Sequence, residues 1–166
     1  MVSCGFSWNG VTKPFFVDPK LTKVNGRLYT KHLKTQLIPA IEKLYPDNNY
    51  IFVQDGASSH TSDICQEFLE SKLKKSQFVA SNEWPPNSPD LNPLDYYFWT
   101  KIKSVVYSER VGKGSFENVA ELKSSIRRNW RKAVEIDEVH KALNQFLPRC
   151  RKVVEVGGGP IKVFFG

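Results

Sequence analysis

The spacing of apolar residues changes along the chain, and each change marks an element. Residues 2–8 and 13–17 read as two short strands flanking Asn9-Gly10, a dipeptide that tolerates positive φ at a tight hairpin turn. From 25 to 45 the period is helical, with Tyr29, Leu33, Leu37, Ala40, Ile41 and Leu44 on a stripe and Pro39 as an expected kink. Tyr50-Ile51-Phe52-Val53 is a continuous apolar run, the pattern of a strand buried on both faces. A helix over about 62–74 (Ile64, Phe68, Leu69, Leu73) leads to a second short strand at 77–80. Strand, helix, strand at this spacing predicts a βαβ unit with a right-handed crossover.

Beyond residue 92 the pattern is helical throughout, over about 93–109, 116–132 and 136–147. The second of these carries Val119, Leu122, Ile126 and Trp130 on one side; the third shows Ile136, Val139, Leu143, Phe146 and Leu147. The tail VGGGPIKVFFG turns apolar after its glycines and reads as a final docking strand. The fold class expected is α/β, a small mixed sheet flanked by helices, within one domain over 1–166.

Composition narrows the class. A chain of 166 residues, 40% hydrophobic and 25% charged, is long enough for a substantial core. It contains no apolar run long enough to span a bilayer, so no membrane partner is expected, and residues 1–17 lack the form of a signal peptide. Three cysteines, Cys4, Cys65 and Cys150, form no CxxC pair, which favours a reducing, intracellular setting over a disulfide framework or a zinc site. The formal charge is +7, and its excess is local: residues 101–132 hold nine Lys/Arg (Lys101, Lys103, Arg110, Lys113, Lys123, Arg127, Arg128, Arg131, Lys132) against three Glu. Such a patch suits a nucleic-acid backbone, although on charge alone a solvated helix face explains it equally well.

Two carboxylates stand out. Asp55 closes the run YIFVQD, and ligands of open α/β sheets gather beyond the carboxyl ends of strands. Asp-Gly is also an ordinary turn pair that merely stops a strand. Asp95 lies in EWPPNSPDLNPLDYYFW, where Pro85, Pro86, Pro89 and Pro93 restrict the connection and hold the start of the next helix. There Asn92 suits an N-cap and Pro93 the first helical position, so Asp95 also stabilises the helix dipole. Its spacing from Trp99, Ile102 and Val106 predicts that it faces the protein body, where a carboxylate needs a cation. Two such oxygen donors suit Mg²⁺ or Mn²⁺.

FVQDGASSHTS followed by NEWPPNSPDLNPLDYYFWTKIKSVV resembles the catalytic domain of mariner-type transposases, the DDE/DDD superfamily of ribonuclease H-like endonucleases. MVSCGFSWNGVTKPFFVD is similar to the family's hairpin strands, TKVNGRLYTKHLKTQLIPAI to its following helix, and VEVGGGPIKVFF to its chain end. The resemblance implies metal-dependent DNA cleavage and strand transfer in DNA transposition, with DNA as partner, a homodimer for the intact protein and the nucleus as the place of action. It implies that Asp55 and Asp95 are the second and third catalytic, metal-ligating carboxylates of a site holding two Mg²⁺ or Mn²⁺ ions. Asp90 matches a motif residue with a turn or capping role, and His60 a residue adjacent to the site. Lys101, Lys103, Arg110, Lys123, Arg127, Arg128, Arg131 and Lys132 become the expected DNA-binding residues.

The sequence also departs from the family. The first catalytic Asp belongs on a strand upstream of the hairpin, and the hairpin opens this sequence, as if the catalytic domain lacked its first central strand and the preceding helix-turn-helix modules. Asp18 is an internal substitute that does not match the family position. A missing central strand predicts that the hairpin leaves a gap or pairs directly with residues 50–54, and that the chain alone is nearly inactive. The alternative reading is a relic or domesticated domain that binds DNA non-specifically through its basic C-terminal helices.

Overall fold

The hairpin closes one residue earlier than Asn9-Gly10 suggests. Strand β2 (Phe6–Ser7) pairs antiparallel with β3 (Gly10–Val11), Phe6 opposite Val11 and Ser7 opposite Gly10, so Trp8-Asn9 makes the turn. Gly10 takes φ 128°, a region that strains any residue with a Cβ. Two further short strands, β1 (Val2–Ser3) and β4 (Phe15–Phe16), flank this hairpin in sequence. This computed structural model describes residues 1–17, 24–161 and 164–165; Asp18 lies outside the described residues. The chain divides into two compact units, Met1–Gly5 with Val17–Ser88, and Phe6–Phe16 with Pro89–Gly166.

In the first unit, Asn25 caps α1 (Gly26–His32) by accepting the Leu28 N–H at 3.0 Å. Pro39 occupies the first turn of α2 (Ile38–Leu44). The change of register lies just ahead, in a wide turn over Leu33–Leu37 where the Ile38 N–H bonds Leu33 O, five residues back. That turn buries Leu33 and Leu37. Helix α3 (Asp63–Lys72) buries Cys65 and Leu69 beside α1. Gly26 is required there, because a Cβ would overlap the Ser62 side chain.

The expected strand at 50–53 is reduced to one parallel bridge, Phe52 to Phe78, with the Phe52 N–H to Gln77 O at 2.7 Å and the Val79 N–H to Phe52 O at 3.0 Å. Phe52 is 8% exposed, but Ile51 is 64% and Val53 41% exposed, so the run is not buried on both faces. A bridge that uses both polar groups of Phe52 turns those of Ile51 and Val53 the other way, and among the described residues they have no partner there. Among the described residues the ladder of the hairpin itself is that of β2 with β3.

In the second unit Phe98 is fully buried, with the Phe6 ring at 5.5 Å and the Trp130 ring edge-on at 5.2 Å. Helix α4 (Trp99–Ser108) adds Ile102 and Val106 to this core. Helix α5 (Val119–Ala133) buries Ser125, Asn129, Trp130 and Ala133, rather than a stripe running from Val119, which is half exposed. Small side chains let α5 approach α4 closely, and the buried polar groups bond: Ser125 Oγ donates to Glu109 Oε2 at 2.8 Å, and Asn129 Nδ2 to Ser125 O at 3.0 Å. The Trp130 indole N–H donates to Thr12 O at 2.9 Å, fastening the hairpin segment to α5. The helix expected at 136–147 is two, α6 (Ile136–Asn144) and α7 (Phe146–Glu155). No strand follows α7 among the described residues, although Ile161 is fully buried.

Candidate active site

Asp55 leaves the short extended segment in a tight turn. Its Oδ1 accepts the Ala57 N–H at 3.0 Å and lies 2.6 Å from His60 Nδ1. The His60 ring nitrogen close against it, with help from the Ala57 N–H, holds the Asp55 carboxyl below the usual carboxylate range against the opposing effect of partial burial. The Asp55 side chain is 47% exposed, and among the described residues its Oδ2 accepts no hydrogen bond. One oxygen is therefore fixed by the protein and the other is presented to solvent.

His60 is itself held from three sides. Its ring lies 4.1 Å from the Tyr29 ring, and its carbonyl accepts Gln54 Nε2 at 3.1 Å and Gln66 Nε2 at 2.8 Å. The Tyr29 hydroxyl donates to Gln54 Oε1 at 3.0 Å, closing the loop of contacts, and burial pushes the Tyr29 hydroxyl well above its ordinary range. Gln66 Oε1 accepts the Ser81 N–H at 3.2 Å. Sequence reasoning found Asp55 and His60 but missed Tyr29, Gln54 and Gln66. The one legible signal was Gln54, a polar residue closing an apolar run.

Asp95 belongs to the other unit and departs from expectation. It is exposed rather than directed into the body. The reason is a second wide turn, Leu94–Phe98, in which the Trp99 N–H bonds Leu94 O, five residues back. The extra residue rotates Asp95 off the stripe of Ile102 and Val106, and Phe98 takes the buried place. Asn92 starts the turn as expected: its side chain accepts the Leu94 N–H at 3.0 Å and its carbonyl the Asp95 N–H at 2.8 Å. Asp90 sits just before, in the short turn Pro89–Leu91, and its Oδ2 accepts the Ile161 N–H at 3.1 Å.

The basic residues divide into two sets. Lys101 pairs with Glu138 at 2.6 Å, Arg110 with Glu121 at 2.7 Å and Arg128 with Glu109 at 2.7 Å. Arg110 also donates to the carbonyls of Gly114 and Ser115. Lys123 and Arg127 instead lie over the Phe16 ring, at 5.6 and 4.6 Å from its centroid. With Arg131 they recur every four residues of α5, one ridge of the helix, and Arg127 and Arg131 are exposed. Lys103 and Lys132 are exposed as well. Among the described residues no group of three or more His, Cys, Asp or Glu is placed to hold a metal ion, and no helix is long and apolar enough to cross a membrane.

Over residues 18–123 the chain matches the family described as DDE superfamily endonuclease. The Transposable element Tc3 transposase of Caenorhabditis elegans is 27% identical over 140 residues, which cover 84% of this chain and 39% of that protein. The Transposable element Tc1 transposase of the same organism is 28% identical over 109 residues, 66% of this chain and 36% of that protein. The chain thus spans under two fifths to about two fifths of the length of these curated relatives. Among solved structures, the Mos1 transposase catalytic domain with Raltegravir and Mg superposes with a TM-score of 0.77 at 21% identity, covering 97% of this chain and 76% of that one. The Mos1 mariner paired end complex with Mn gives 0.75 at 21% identity over 96% of this chain and 44% of that one. The fold is accordingly ribonuclease H-like, of the α/β class expected.

Proposed function

The chain belongs to the DDE superfamily endonucleases, and from that premise we propose that it contributes part of a transposase catalytic domain, acting in metal-dependent cleavage and strand transfer of DNA. Asp55 and Asp95 are its metal ligands in this reading. The observation that carries it is the Asp55 carboxylate, with one oxygen fixed by Ala57 and His60 and the other open. A hard divalent cation favours such a donor, an anionic oxygen already oriented and still accessible. Bound Mg²⁺ or Mn²⁺ would supply charge neutralisation at phosphate and acidify an attacking hydroxyl. The protein's own residues do the rest: Ala57 and His60 orient Asp55, Asn92 sets the turn that presents Asp95, and the ridge of Lys123, Arg127 and Arg131 holds the phosphate backbone. The partner is DNA, the place of action the nucleus, and the whole protein works as a homodimer.

The test pairs Mn²⁺ binding with plasmid nicking for the chain, Asp55→Asn and Asp95→Asn. The reading expects Mn²⁺ affinity to fall in both variants and any metal-dependent nicking to disappear. Binding of Mn²⁺ and DNA that neither variant alters would replace it with the non-catalytic DNA-binding reading.

A further inference from the structure

Arg149 is 4% exposed and has no carboxylate within ion-pair distance among the described residues, an expensive position for a guanidinium. Its surroundings show what holds it. The guanidinium stacks 3.9 Å from the centre of the Tyr96 ring and 4.5 Å from that of Phe165. It donates to Asp90 O at 3.2 Å and, through Nε and Nη2, to Gln145 Oε1 at 3.3 and 3.2 Å. The Asp90 carboxylate in turn takes the Ile161 N–H at 3.1 Å, and Ile161 is fully buried. The Tyr96 hydroxyl donates to Ala142 O at 2.8 Å. Arg149 and Asp90 thus tie together the turn before Asp95, the ring directly after it, the junction of α6 and α7, and the C-terminal residues Ile161 and Phe165.

The turn that carries Asp95 needs such a clamp. Its hydrogen bonds span five residues rather than four, an arrangement less self-supporting than a regular helical turn and common at functional sites. Asp95 is exposed on that turn, so core packing does not aim it. We propose that Asp90 and Arg149 are positioning residues, which use their contacts with Ile161 and Phe165 to fix the direction of the Asp95 carboxylate. This rests on the assignment of Asp95 as a cation ligand, and it gives Asp90, the Asp of the SPDLNP stretch, a task other than ligation. Residues that orient a metal ligand typically change affinity about 10–100-fold when lost.

The experiment measures Mn²⁺ binding to the full chain by electron paramagnetic resonance for Asp90→Ala, Asp90→Asn, Arg149→Lys and Asp95→Asn, with amide hydrogen exchange over 94–98 on the same samples. Asparagine keeps an oxygen that can accept the Ile161 N–H, so Asp90→Asn should bind Mn²⁺ as the parent does. Asp90→Ala and Arg149→Lys should weaken Mn²⁺ about tenfold and speed exchange at 94–98 while the circular dichroism spectrum stays native. Loss of Mn²⁺ in Asp95→Asn with parental affinity in Asp90→Ala overturns the positioning role and leaves the ligand assignment standing. Parental Mn²⁺ affinity in Asp95→Asn overturns the ligand assignment, and the positioning role with it. If Asp90→Ala does not fold, Arg149→Lys against Asp90→Asn decides: equal, parental affinity in both overturns the proposal.

Discussion

Asp55 and His60 meet through a single oxygen, Oδ1 to Nδ1 at 2.6 Å, in the same turn in which Asp55 takes the Ala57 N–H. The carboxylate is thus engaged at one oxygen, while among the described residues its other oxygen accepts no hydrogen bond. His60 in turn is locked by the Tyr29 ring and by two glutamine side chains on its carbonyl.

Replacing His60 with Ala removes the largest influence that lowers the Asp55 carboxyl, so that carboxyl should titrate higher, toward the ordinary carboxylate range. A group depressed in the folded state stabilises the fold above its ordinary pKa and ceases to do so as pH falls through the folded value. The variant should therefore lose a small part of the stability difference between neutral and acidic pH. Carbon-13 titration of Asp55 in the parent and in His60→Ala checks both direction and cause; an unmoved titration would refute it.

Glu109 makes a second acid-sensitive point. The Arg128 guanidinium, followed by Asn129 and Ser125, holds its carboxyl down at about 2. Its contribution is complete above the ordinary glutamate range and is lost as pH drops from there toward about 2. Glu109→Gln should flatten acid unfolding over that window, measured by fluorescence of the tryptophans against pH.

The aromatic core predicts a large packing effect. Phe98→Ala leaves the faces of Phe6 and Trp130 without their partner, at a cost of about 3–5 kcal/mol. Urea unfolding should show a lower midpoint; a loss under about 1 kcal/mol would mean that Phe98 is not the centre of its unit.

DNA binding should depend on which cations are already engaged. Neutralising Lys123, Arg127 and Arg131 together should lower the salt dependence of binding by about one unit of log–log slope per side chain. Arg128→Gln should change it less, because Arg128 is paired with Glu109. Fluorescence anisotropy with duplex DNA at several salt concentrations separates these outcomes, and equal effects would remove the distinction between the two sets.

The open edge at Ile51 and Val53 should promote self-association, since exposed apolar strands with unpaired polar groups recruit other strands. Val53→Lys should reduce light scattering of concentrated protein while leaving its unfolding midpoint nearly unchanged.

Much of this was fixed by local order along the chain. The Asn92 cap and the helices near 63, 99, 119 and 136 depend on residues within a turn or two of one another, so sequence alone sufficed. Spacing failed where a contact distant in sequence decided the outcome. The wide turn at Leu94–Phe98 rotated Asp95 outward, because burying Phe98 among Phe6 and Trp130 outweighs regular helical geometry. Ser125 and Asn129, polar on any hydrophobicity pattern, are buried because α5 packs on α4, with Ser125 bonded to Glu109 and Asn129 bonded back to the Ser125 carbonyl. The pairing of the His60 ring with Tyr29, and of Asp90 with Ile161 across 71 residues, exists only once the chain has folded. Periodicity describes which side of an element a residue occupies, while packing between distant elements decides what that side meets.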